Sequence, residues 1–114
     1  MELEEQMRRL YADFNARDAE AVLAQMTADV DWPNAWEGGR IAGRGEVREY
    51  WLRQWAEIDA SVEPTGFELR PDGSLAVSVH QVVRNLDGEL LSEQDLRHVY
   101  AFRDGLVAAM SIEE

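Results

Sequence analysis

A chain of 114 residues, 46% of them hydrophobic and none of them cysteine, is long enough for one hydrophobic core and has no disulfide or thiolate chemistry. Its formal net charge of −12, in which every basic residue is an arginine, repels phosphate backbones and anionic lipid surfaces and so excludes nucleic acid and membrane as partners. No apolar run approaches the roughly 18 residues of a membrane span, and Met1-Glu2-Leu3-Glu4-Glu5 lacks the basic-then-apolar layout of a secretion signal; one cytoplasmic domain over residues 1–114 is the expectation.

Leu3, Met7, Leu10, Tyr11 and Phe14 recur at helical spacing and predict an amphipathic helix from about residue 2 to 15. Asp18 is placed to cap a second helix carrying Val22, Leu23 and Met26, ending near Thr27. From Asp29 the pattern alternates through Val30, Asp31 and Trp32, a short strand that Pro33 puts at an edge or strand end. Gly38, Gly39, Gly43 and Gly45 mark a loop. Glu46 to Ile58 reads as the third helix, with Val47, Trp51, Gln54, Trp55 and Ile58 on one face and Tyr50 at its border. Strands are then expected over Val62–Arg70, Leu75–Leu86, Leu90–Arg103 and Leu106–Ile112, separated by Pro71-Asp72-Gly73, Asp87-Gly88 and Asp104-Gly105. Helices followed by hairpin-linked strands predict an α+β fold with the helices on one face of an antiparallel sheet.

A two-residue loop at Asp87-Gly88 pairs Leu86 with Glu89, Val79 with Leu96, Val77 with His98 and Leu75 with Tyr100. Alternation then gathers Leu75, Val77, Val79, Gln81, Leu96, His98, Tyr100 and Phe102 on the face beneath the helices. Ala76, Ser78, His80, Val82, Arg84, Arg97, Val99 and Ala101 share the other. That second face is apolar enough at Val82, Val99 and Ala101 to be a candidate homodimer surface, and His80 faces outward opposite Asp95.

The order of elements, with "TADVDW", the glycine-rich loop, "GRGEVREYW" and the closing "HVYAFRDGLV", resembles the nuclear-transport-factor-2-like superfamily, and within it the SnoaL-like and ketosteroid-isomerase-like branch. The resemblance covers nearly the whole chain. It implies a cone, a strongly bent antiparallel sheet around three N-terminal helices, with a pocket at the open end. The isomerase residues do not carry over: the general base falls on Asn34, the protonated Asp on His98, its tyrosine partner on Leu10 with Tyr11 one position away, and the supporting tyrosine on Trp51. An amide takes no proton at neutral pH, so steroid-isomerase chemistry is not expected.

His98 is the remaining candidate for catalysis, an ionisable ring among Leu96 and Tyr100; the alternative is a core histidine satisfied by a backbone carbonyl, Tyr11 or Tyr100. Asn34 is a candidate polar anchor or a turn residue. Tyr11 and Tyr100 present a hydroxyl to a cavity or only pack. Trp32, Trp36, Trp51 and Trp55 form either a flat-sided slot for a small apolar or polycyclic molecule or a filled core cluster, with Trp36 beside Gly38-Gly39 as the lid. His80 and His98 lie on opposite faces, and Asp95 and His98 point to opposite sides of one strand, so no metal site is expected. Gly43-Arg44-Gly45 lacks a P-loop lysine and no cofactor is expected. The resemblance implies a cofactor-independent isomerase, cyclase or dehydratase using His98, or else a non-catalytic binding or dimeric interaction domain.

Overall fold

The computed structural model describes residues 2–34 and 38–113. In chain order these form α1 (Glu2–Asn15), α2 (Ala19–Leu23), β1 (Met26–Pro33), β2 (Arg40–Ala42), α3 (Arg44–Trp55), β3 (Ile58–Leu69), β4 (Leu75–Asn85), β5 (Leu90–Arg103) and β6 (Leu106–Glu113). The strands make one sheet in the order β2-β1-β6-β5-β4-β3, antiparallel throughout except for the parallel pair β1 and β6. The sheet is bent and unclosed, and the helices pack against its inner face: the α+β cone expected from the pattern of elements.

Helix α1 buries Met7, Leu10 and Tyr11 on one stripe, while Glu2, Glu4 and Glu5 sit at the positive end of its dipole. Its last residue, Asn15, turns its amide onto the edge strand β3. There Oδ1 accepts from Val62 N at 2.9 Å and Nδ2 donates to Val62 O at 2.8 Å. Asp18 caps α2, its Oδ1 accepting from Ala21 N at 3.2 Å.

Helix α2 stops at Leu23 rather than near Thr27, and Met26 opens β1. The cause is tertiary. Val107 N donates to Gln25 O at 2.8 Å, so the parallel partner β6 claims the backbone that helical spacing had assigned to a further turn. Helix α3 likewise ends at Trp55, and Ile58 begins β3 opposite Asn85 instead of closing the helix. The glycine-rich loop contains the short strand β2, paired with β1 through Trp32 and Ile41. Gly43 caps α3 at φ 92°, ψ 148°, a conformation essentially restricted to glycine, and Glu46 accepts from Ala42 N at 3.1 Å across the same turn.

Strands β4 and β5 pair Leu75 with Tyr100, Val77 with His98 and Val79 with Leu96, as alternation and the turn signal predict. At the tip the register shifts, so Arg84 pairs with Leu90 and the Leu86–Glu89 pair does not form. Gly88, at φ 92°, accommodates a bulged loop closed by Gly88 N to Asn85 O and Asn85 N to Glu89 O. Two more irregularities reset which side chains point inward. One between Pro64 and Gly66 lets Val62 and Phe67 both pack on the core, and one opposite Ala101 and Phe102 does the same for Val107 and Met110.

The outer face carries His80, whose Nδ1 lies 2.9 Å from Asp95 and whose Nε2 lies 2.7 Å from Glu93. These carboxylates, Asp95 first, hold the imidazole above its ordinary pKa. Ala76, expected on this face, is buried; it is paired on its two sides with Glu68 and Val99.

Candidate functional site

The bend of the sheet leaves a half-open cavity in the core, with about 100 Å³ in which a water-sized sphere can be centred. Seven elements contribute. Helix α1 supplies Leu10, Tyr11 and Phe14; β1 supplies Trp32 and Pro33; α3 supplies Tyr50, Trp51 and Gln54. The opposite wall is Ala60 and Val62 of β3, Gln81 and Val83 of β4, His98 and Tyr100 of β5, and Met110 and Ile112 of β6. None of these described lining residues carries a permanent charge, and polar atoms occur at only a few points.

Three of those points form one chain. Tyr11 Oη lies 2.8 Å from His98 Nδ1 and 2.7 Å from Tyr100 Oη. The Tyr11 ring stacks beside the imidazole at 5.9 Å and meets Tyr100 edge-on at 6.4 Å. His98 reaches this place because it faces Val77 in the β4–β5 register, and Tyr11 because it shares the buried stripe of α1. Burial lowers the His98 pKa to about 4, so the ring is neutral throughout the physiological range. Burial likewise raises both phenols well above their ordinary value, for Tyr11 with a smaller contribution from Tyr100. The cluster thus offers neutral donors and acceptors, a set suited to carbonyl and hydroxyl oxygens rather than to anions.

The tryptophans divide. Trp32 and Trp51 meet edge-to-face at 5.6 Å, 87° apart, and form a wall of the cavity, so they are core and lining at once. Trp55 does not line it. It stacks on Trp51 at 5.9 Å and packs with Phe14 at 5.3 Å, the Arg17 guanidinium lying over both its ring and that of Phe14. Trp36 lies outside the described residues. Asn34, one residue past the end of β1, is buried but is not among the residues lining the cavity; its backbone closes a turn with Gly38 and Gly39. The ungapped placement put Leu10 where a relative has tyrosine; Leu10 does line the cavity, but the hydroxyl at His98 comes from Tyr11. Residues that sequence reasoning did not assign to the cavity, such as Ala60, Met110 and Ile112, arrive through sheet curvature and carry no local signal. Among the described residues no group of three or more His, Cys, Asp or Glu is arranged to hold a metal, and no helix is long and apolar enough to cross a membrane.

A family model of the SnoaL-like domain matches residues 7–110. No curated protein sequence matches the chain. Among solved structures, a nuclear-transport-factor-2-like protein of unknown function from Burkholderia pseudomallei superposes with a TM-score of 0.82 at 22% identity, covering 96% of this chain and 88% of that one. TerC, co-crystallised with polyporic acid, gives a TM-score of 0.81 at 25% identity over the same shares of the two chains. SalBIII, an epoxide hydrolase/cyclase-like enzyme of pyran ring formation in salinomycin, gives 0.77 at 19% identity over 96% and 91%.

Proposed function

Because the chain belongs to the SnoaL-like family, we propose that it is a cofactor-independent enzyme moving a proton on a small, uncharged, mostly apolar carbonyl or hydroxyl compound. His98 is the acid or base, and Tyr100, held by Tyr11, orients the oxygen. Reactions of the isomerase, cyclase or dehydratase kind fall within this description. The observation that carries the reading is the 2.8 Å pair between Tyr11 Oη and His98 Nδ1 inside a cavity with no charged described lining residue. Such a lining disfavours anions and favours oxygens that share protons with neutral partners. The likeness to TerC supports a small organic ligand.

Bicyclic ketones are expected to quench the fluorescence of Trp32 and Trp51. On any ketone of such a panel that turns over, His98→Asn should lower kcat roughly a hundredfold or more, with binding changed by no more than about threefold. A second reading, a binding domain without catalysis, is favoured by the absence of a carboxylate from the described lining. Quenching with no turnover of any ketone in wild type and His98→Asn alike would select it.

We also propose that the outer sheet face bearing Val82, Val99 and Ala101 meets a second copy of the chain. Sedimentation should then give twice the chain mass for wild type and the single mass for Val82→Arg; a wild-type monomer at high concentration would dismiss that surface.

A further inference from the structure

The hydroxyls of Tyr11 and Tyr100 and the imidazole of His98 obey a proton count with chemical consequences. Tyr11 Oη contacts both His98 Nδ1 and Tyr100 Oη at hydrogen-bond distance, yet owns a single proton. It can donate to only one of them, and in either chain of donations it accepts from the other. In the first arrangement Tyr100 donates to Tyr11, Tyr11 donates to Nδ1, and the imidazole carries its proton on Nε2. In the second, Nδ1 carries the proton and donates it to Tyr11, Tyr11 donates to Tyr100, and the Tyr100 proton turns outward while Nε2 keeps a bare lone pair. Both arrangements hold the same protons and no charge. His98 and Tyr100 both line the cavity with ring centroids 6.4 Å apart, so one small ligand can touch both ends.

We propose that Tyr100, Tyr11 and His98 form a reversible proton wire whose two ends act as a coupled acid and base, enolising one bound carbonyl compound without charging it. The proposal rests on reading the cavity as an enzyme site. From the second arrangement, Nε2 takes a proton from the carbon beside the ligand carbonyl. The C–H electron pair becomes the new C=C bond, and the carbonyl π pair moves onto oxygen, which takes the proton of Tyr100. The Tyr11 proton passes to Tyr100, and the Nδ1 proton passes to Tyr11. The enol leaves neutral, and the protein is left in the first arrangement, ready to return a proton from Nε2–H to carbon in the reverse sense. His98 and Tyr100 are the catalytic residues and Tyr11 the positioning residue between them. A histidine acting alone would end as an imidazolium, which burial here opposes; the wire removes that charge by passing a proton along.

The test is the tautomer of His98, read from the ring nitrogens of protein labelled with ¹⁵N-histidine, with His80 identified by His80→Gln. Tyr100→Phe removes the outward proton and frees Tyr11 to donate to Nδ1, so His98 should move toward the Nε2–H form. In the Tyr11→Phe background the same Tyr100→Phe change should leave His98 where it was. A wild-type His98 already wholly in the Nε2–H form, or a mixed tautomer that does not respond to Tyr100→Phe with Tyr11 present, overturns the wire. Cyclohexanone addition separates this from the cavity reading: no change in Trp32 or Trp51 fluorescence argues against that reading and leaves the tautomer result standing.

Discussion

Trp51→Ala is expected to lower the unfolding free energy by roughly 3–5 kcal/mol, the upper range for large-to-small core changes. Trp51 is 2% exposed, and three aromatic rings depend on it: Phe14 at 5.5 Å, Trp32 at 5.6 Å and Trp55 at 5.9 Å. Removing the indole strips each of an edge or face contact, and the neighbouring cavity gives the surroundings little reason to collapse inward. Against a typical total of about 5–15 kcal/mol, such a loss leaves a marginal fold. Urea unfolding of wild type, Trp51→Ala and Trp51→Phe checks it, with the phenylalanine variant falling between the others. A loss below about 1 kcal/mol would mean that the indole lines space without supporting the core.

Acidification supplies the second large effect. The His98 pKa stands at about 4 in the folded protein against an ordinary 6.5, which corresponds to roughly 3 kcal/mol of linkage. Below 6.5 the unfolded chain takes up a proton that the folded chain refuses until about pH 4. His98 therefore leaves stability intact above 6.5 and erodes it as pH falls through that window. His80 works in the opposite sense. Its raised pKa gives a contribution present below 6.5 and lost as pH rises through the folded value, but it is solvent-exposed and its effect is small. Unfolding free energies of wild type and His98→Phe, compared at about pH 7 and about pH 4, isolate the term. The variant should lose less on acidification by about that amount, and equal losses would show that His98 is protonated at little cost in its place.

The sequence was most legible where one periodicity had no competitor. The alternation of Leu75, Val77 and Val79, closed by Asp87-Gly88, placed His98 and Tyr100 on the inner face, and the structure keeps that register everywhere but at the bulged tip. It was least legible where two periodicities overlapped. Met26 continues the helical spacing of Val22 and Leu23, and Ile58 continues that of Trp51 and Trp55, yet both open strands because a sheet neighbour takes their backbone. The site shows the same division. Parity along β1 turned Trp32 inward correctly and into the cavity, but the strand ends at Pro33, so parity could not place Asn34, which is buried in the following turn away from the cavity. Helical spacing put Trp51 and Trp55 on one face, yet one turn is enough to take Trp55 out of the cavity lining. The meeting of Tyr11 with His98, 87 residues apart in sequence, depends on how α1 lies across the bent sheet, which no local pattern encodes.

The clasp of Asn15 on Val62 has a consequence for the molecule among its own copies. Strand β3 lies at one end of the sheet, and a long row of open peptide groups there would be a template on which another chain could zip. Asn15 occupies both peptide groups of Val62, Pro64 two residues later has no N–H to give, and the irregularity before Gly66 puts the following groups out of step. The opposite end of the sheet is the three-residue β2, too short to seed a ladder. Both borders are thereby closed to fibril-like stacking, and the chain can carry a twelve-residue outer strand without recruiting its neighbours.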